Sequence, residues 1–369
     1  MEENKPLGPL TTFGIGGPAR WFAEVASEDE VVEAAAWAAA RKTALFVLGG
    51  GSNLLIADAG FDGLVLRVRL QGVRVSPAGA ESCEAIYQVA AGEEWDSFVE
   101  RAAREDCAGV ECLAGIPGTV GGTPVQNVGA YGQEVAATIE RVRAYDLRAR
   151  EFVEFAAADC GFGYRQSRFN RVERGCYVVT RVDFRLRPGG AATLRYADLQ
   201  RALAETEIEG GPAGLMQVTA AVRRVRRGKG MLLVEGDADC RSAGSFFKNP
   251  VVTEDEARRL GAVCGKVAPR FPAGAGPQAE GKTKVPAAWL MEQAGFGKGY
   301  VLGRAGISSR HTLALVNRGD GEGRGASAAE MLALAHAIRE AVEQRLGLRL
   351  EMEPVLVGFE AEKKTEPVA

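Results

Sequence analysis

Histidine is nearly missing from this chain: among 369 residues there are two, His311 and His336. That scarcity excludes a histidine-rich metal site, and no spacing supports a mixed cysteine–histidine zinc site, so no metal is expected. The seven cysteines, at 83, 107, 112, 160, 176, 240 and 264, are odd in number and include no C-x-x-C. A disulfide framework is therefore not expected, and a reducing cytoplasm is. No apolar run reaches the about 20 residues of a membrane-spanning helix. The start, Met1-Glu2-Glu3-Asn4-Lys5, lacks the basic and apolar regions of a signal peptide. Excess charge is also lacking: 45 Lys and Arg against 48 Asp and Glu leave a net −3. No general attraction to nucleic acid or to an acidic membrane follows from that balance.

What is present is ordinary globular composition, 46% apolar and 25% charged, with many glycines. The length exceeds the roughly 250–300 residues at which single cores divide, so at least two domains are expected. The glycines concentrate in two places. The first is Leu48-Gly49-Gly50-Gly51-Ser52-Asn53-Leu54, between the apolar runs Leu45–Val47 and Leu54–Ile56. Runs that short, bounded by glycine, predict strands. Read alone, the stretch is either a tight hairpin turn or a nest of backbone N–H groups for a pyrophosphate. It is not a dinucleotide fingerprint, because a strand follows where a helix should open, and no Gly-Lys-Ser/Thr makes it a Walker loop.

The second concentration runs from Leu113 to Gly132, with glycines at 115, 118, 121, 122, 129 and 132. A glycine about every third residue suits neither an amphipathic helix nor a strand. Interleaved Ile116, Val120, Val125 and Val128 argue against a solvated linker. The pattern suits a backbone that wraps a ligand closely, and it favours the ligand reading of the first loop too.

Elsewhere the pattern predicts strands at 20–25, 65–68, 85–91, 139–145, 152–153, 176–186 and 311–317. A period-2 strand is expected where Leu348, Leu350 and Met352 alternate with Arg349, Glu351 and Glu353. Capping boxes at Ser27, Thr253 and Ser327 open helices, Gly347 closes the last one, and Pro286 starts another. Trp95, Phe98, Val99, Ala102 and Ala103 fall at helical spacing, as do Val218, Val222 and Val225 beside a basic cluster. Tyr196 precedes a short helix, and Gly210-Gly211-Pro212 breaks the chain. The segment 265–284, rich in glycine and proline, reads as a loop.

Five ordered motifs resemble those of the UDP-N-acetylenolpyruvoylglucosamine reductases, flavoenzymes that make UDP-N-acetylmuramate for bacterial cell walls. They are Gly49-Gly50-Gly51-Ser52-Asn53, Ile116-Pro117-Gly118 through Gly132, Gly163-Tyr164-Arg165, Ala243 to Pro250, and Leu350-Glu351. The similarity covers nearly the whole folded chain. It implies an α+β fold: a two-lobed FAD-binding domain of the PCMH type, vanillyl-alcohol-oxidase-like, plus a smaller α/β substrate-binding domain. The implied division is 11–230, with lobes of about 11–70 and 71–230, then 231–359, whose C-terminal strand returns to the active site.

The resemblance implies that NADPH reduces a non-covalent FAD, whose N5 then delivers hydride to an enolpyruvyl double bond. Three catalytic residues follow from it. Arg165, otherwise an ordinary loop arginine, would fork onto the substrate carboxylate. Ser245, otherwise a helix cap or a small packing residue, would donate the proton. Glu351 would support Arg165 from the polar face of its strand, with Glu353 left solvated. Gly49, Gly50, Gly51, Ser52, Asn53, Leu54, Pro117, Gly118, Gly121, Gly122, Thr123 and Gln126 would hold FAD. Tyr131, Tyr164, Tyr196, Arg226, Lys229, Asn249 and Gln293 would hold the UDP-sugar. Tyr196 matches the substrate-covering loop of the longer subtype. The implied partners are UDP-sugar and NADPH, with neither nucleic acid nor membrane, and a monomer is expected. Two other readings fit the same loops: an oxygen-using FAD oxidase, and a nucleotide-sugar binder without flavin.

Overall fold

The computed structural model describes residues 1–79, 83–205, 214–273, 280–320 and 323–359. The predicted break at Gly210-Gly211-Pro212 lies outside the described residues.

The first glycine loop does not make a hairpin. The strand before it, Leu45–Leu48, joins a four-stranded sheet in the order 2–6, 18–25, 61–68, 45–48. There it runs parallel to Phe61–Val68. The strand after it, Leu54–Ile56, pairs parallel with Val355–Val357 near the other end of the chain. The loop therefore hands the chain from one sheet to another, and the tight-turn reading is excluded. The helix packed against the first sheet, Glu28–Ala40, is capped as expected by Ser27, whose Oγ accepts the Glu30 N–H.

The second lobe is a larger antiparallel sheet, ordered 151–156, 139–146, 177–188, 85–90, 73–77. Its strand 177–188 buries seven of its twelve residues. The helix Trp95–Arg104 packs on it with all five predicted positions buried. Trp95, Phe98 and Phe184 meet there, with ring centroids 5.1–5.7 Å apart. Close aromatic packing of this kind fixes the start of that helix beside the second glycine loop, and the Trp95 N–H bonds the Gly118 carbonyl.

The last third forms two three-stranded sheets, 251–253/282–284/271–272 against the helix Glu254–Cys264 and 301–302/305–307/315–317 against the helix Ala328–Leu346. The segment 265–284, expected to be a loop, instead supplies the central strand Lys282–Lys284 of the first of these. Its polar lysines hid the strand; only Thr283 is buried. The expected strand at 348–353 is reduced to a single bridge between Phe247 and Met352, and the paired strand lies just beyond it, at 355–357.

The last third is fastened to the first lobe at several points. Phe13, Ile15 and Leu55 belong to its apolar core. Asn317 Nδ2 donates to the Phe13 carbonyl, and the Asp58 carboxylate accepts the first two N–H groups of the 328–346 helix. A carboxylate there also meets the positive end of the helix dipole.

Candidate active site

The two glycine loops touch. A Cβ on Gly50 would lie 2.5 Å from the Gly118 Cα, and one on Gly49 would lie 2.9 Å from Thr119 Oγ1. In the first loop only Gly51 has positive φ, +64°, and a side chain there would also strike the Leu10 carbonyl. Glycine is thus required at 49 and 50 for close approach rather than for φ. Among the described residues, the backbone N–H groups of Gly50, Gly51, Ser52 and Asn53 have no acceptor within the protein. Unpaired donors between two narrow loops fit a diphosphate.

All twelve residues assigned to FAD from the sequence line one cavity, together with Phe46, Trp95, Val125 and Tyr177. An apolar, partly aromatic lining beside free backbone donors suits a flavin dinucleotide, whose ring is flat and whose linker is anionic. Neither histidine is among the lining residues.

The second loop is stitched to the segment that carries Arg165. Buried Asn127 donates from Nδ2 to Glu134 and to the Gly163 carbonyl, both at 3.0 Å, and accepts the Ala136 N–H. Ser167 Oγ donates to the Val125 carbonyl at 2.6 Å. Between them Arg165 is held at φ +55°, a left-handed conformation that costs a side-chain-bearing residue energy. Its Nη2 donates to the Gly129 carbonyl at 2.7 Å. Its Nε, 3.2 Å from a carboxylate oxygen, makes no aligned hydrogen bond within the protein.

That carboxylate belongs to Glu353, not to Glu351. The expectation for Glu351 is corrected: its side chain is 64% exposed and pairs with Lys248 at the rim, 2.6 Å away. Glu353, expected to be solvated, lines the cavity with Arg165 and Lys248. Both glutamates lie opposite Leu350 and Met352, so the face was right and the depth was two residues short. Burial pushes the Glu353 carboxyl above its ordinary range, against the pull of Arg165 and Lys248.

Ser245 is half-buried, does not line the cavity, and forms a bridge with Ala314. It stands one residue from the Phe246 carbonyl, which accepts the Glu353 N–H at 2.8 Å. The residues expected to hold the UDP-sugar divide into two groups. Tyr131 and Tyr196 meet edge to face at 5.4 Å, with Lys229 Nζ about as close to both rings and paired with Asp198. Tyr164 lies beside Arg165 and accepts the Asn249 N–H at 3.4 Å. Asn249 Oδ1 accepts the Ala287 N–H that opens the helix ending at Gln293, so Gln293 and Asn249 are fixed by one element.

Arg226, expected to hold the UDP-sugar, is buried beside the group formed by Tyr131, Tyr196 and Lys229. It is 6% exposed, and it donates to the carbonyls of Gly115 and Met231. It holds the second loop against the helix Leu215–Gly228 and also bonds Tyr131, so it reaches the expected UDP-sugar group only through that tyrosine. Burial lowers its pKa from the ordinary arginine value.

Two residues of the site escaped the sequence reading. Lys284, on the unexpected strand, places Nζ 4.3 Å from the Tyr164 ring centroid, and burial depresses its pKa. His311 is half-buried near Lys229, Lys298 and Arg226, which together with burial lower its pKa to about 4. Neither belonged to a recognisable motif. Among the described residues no group of three or more His, Cys, Asp or Glu could hold a metal, and no helix is long and apolar enough to cross a membrane.

Fold and cavity together define a flavoprotein: paired glycine loops for the dinucleotide, with a largely shielded arginine–carboxylate pair in the cavity lining. Residues 19–149 match an FAD-binding domain family, and 236–357 match the C-terminal domain of UDP-N-acetylenolpyruvoylglucosamine reductase. The chain is 47% identical to the enzyme of that name from Streptomyces coelicolor, covering 96% of this chain and 89% of the relative. It is 45% identical to that of Thermobifida fusca, covering 96% and 97%. The solved Thermus caldophilus UDP-N-acetylenolpyruvylglucosamine reductase superposes with a TM-score of 0.63 at 27% identity, covering 96% of this chain and 98% of that one. The chain belongs to the UDP-N-acetylenolpyruvoylglucosamine reductase family.

Proposed function

We propose that this protein reduces UDP-N-acetylenolpyruvoylglucosamine to UDP-N-acetylmuramate, a peptidoglycan precursor, with NADPH as reductant and FAD held non-covalently. The supporting observation is the Arg165–Glu353 pair beside the cavity between the two glycine loops. Bound FAD supplies hydride transfer, and the protein's residues supply placement, charge and a proton. Arg165 is fixed by Gly129, paired through Nε with Glu353 and lines the cavity, so its guanidinium is poised to receive the enolpyruvyl carboxylate. Glu353 takes the supporting role first given to Glu351, holding the guanidinium in place as negative charge develops on the substrate. Ser245 remains the proton donor in this reading, at a position tied through Phe246 to Glu353.

Lys229, Tyr131, Tyr164, Tyr196, Asn249 and Gln293 hold the UDP-sugar, with Arg226 behind Tyr131, and Lys284 adds a cation beside Tyr164 and Arg165. In this reading 11–230 serves FAD and 231–359 serves the UDP-sugar, in a cytoplasmic monomer. The test is an absorbance spectrum followed by anaerobic NADPH titration. The yellow protein should bleach with NADPH and recover its colour on addition of the enolpyruvyl nucleotide sugar. Recovery with oxygen alone, and none with the sugar, would identify an oxidase instead.

A further inference from the structure

Both amide hydrogens of the Asn53 side chain are engaged inside the protein. Nδ2 donates to Gln126 Oε1 and, at 3.3 Å, to the carbonyl oxygen of Glu353. These partners lie 73 and 300 positions away in the chain. The main chain repeats the second link, since the Asn53 carbonyl accepts the Val355 N–H at 2.9 Å. From Glu353 the contacts continue through its carboxylate to Arg165 Nε, and from Arg165 Nη2 to the Gly129 carbonyl. Gly129 follows Gln126 by three residues, so the circuit closes on the second glycine loop.

An asparagine that serves only as a phosphate donor would keep its N–H groups free. The backbone donors of the loop are free, whereas this side chain is not. Meanwhile the Glu353 peptide is clamped from two sides: its N–H by the Phe246 carbonyl, its C=O by Asn53. We propose that Asn53 is a positioning residue that sets the depth of the Glu353 carboxylate against Arg165, linking the flavin cradle to the carboxylate-binding pair. This deepens, and rests on, the reductase reading above. Misplacing a polar group by about 1 Å can cost on the order of a hundredfold in rate, so a tie of this kind is expected to be felt kinetically.

The experiment is a double-mutant cycle on the holoenzyme, Asn53→Ala with Glu353→Gln, reading the two half-reactions separately by stopped flow. Asn53→Ala should slow reoxidation by the enolpyruvyl nucleotide sugar about tenfold or more beyond any change in its reduction by NADPH. In the Glu353→Gln background the same change should cost less than about twofold. The pH profile of reoxidation should shift in Asn53→Ala and be insensitive to it once Glu353 is replaced. Losses that multiply, or equal losses in both half-reactions, overturn the proposal. If Asn53→Ala does not fold, Asn53→Asp, which keeps the shape and removes the donors, takes its place; loss of flavin from either folded variant, or failure of both to fold, also overturns it. Failure of the reductase reading is distinct: wild-type protein, once reduced, would not be reoxidised by the nucleotide sugar.

Discussion

Arg165 Nε and Glu353 Oε1 stand 3.2 Å apart across 188 positions of sequence, with the guanidinium held from behind by the Gly129 carbonyl. The pair is mostly shielded from solvent, with side chains 22% and 13% exposed. Breaking such a pair from one side leaves the other charge uncompensated, whereas in the Lys248–Glu351 pair nearby the carboxylate is 64% exposed and solvated.

Replacing Glu353 by Gln is therefore expected to slow flavin reoxidation by the nucleotide sugar by about 10² or more, a typical scale for one positioned charged group. Glu351→Gln should stay within about threefold, because exposed ion pairs contribute little. Stopped-flow reoxidation rates decide the matter, and the opposite ranking would restore Glu351 to the site.

Ser245→Ala should still let NADPH bleach the flavin. Reoxidation should fall by roughly 10². If bleaching fails while reoxidation survives, Ser245 is not the proton donor.

His311 should stay neutral down to about pH 4, as an NMR titration of a protein with two histidines can show directly. Its folded pKa lies below the ordinary 6.5, so between these values the unfolded chain binds more protons. Stability from this group is thus complete above about pH 6.5 and declines as pH falls toward 4. His311→Gln should flatten that part of the stability profile; an unchanged slope would assign it to other groups.

Asp58→Ala should destabilise the holoprotein by about 1 kcal/mol, the usual effect of losing side-chain acceptors at a helix start. Ser327 still caps the same helix, so the loss should be partial. Thermal or urea unfolding measures it, and no change would mean that the Asp58 contacts contribute nothing net.

Acid precipitation should release all yellow colour to the supernatant, since neither histidine lines the cavity. Colour in the pellet would mean covalent attachment.

The sequence reached far in some places and stopped short in others for identifiable reasons. The 95–104 helix was legible because its five apolar residues share one face and all five are buried. Capping boxes at Thr253 and Ser327 were legible because the bonds they make are local. The strand Lys282–Lys284 was not, because its pairing partners lie at 251–253 and 271–272 and its composition is polar. The burial of Arg226 was not legible either, because a basic helix end does not reveal which of its charges is turned inward onto a carbonyl.

By itself, the chain's order of residues determined the two glycine loops and the elements flanking them, while the candidate catalytic segments were marked only by their resemblance to a family. The loops and flanking elements rest on backbone sterics and on periods of two and 3.6, which act over a few residues. Only the tertiary structure decided that the first loop joins two different sheets, that Asn53 grips Gln126 and Glu353, and that Glu353 rather than Glu351 faces Arg165. A period-2 pattern assigns a side chain to a face but carries no information on depth. Depth was set by the pairing of Leu54–Ile56 with Val355–Val357, a contact between segments about 300 residues apart.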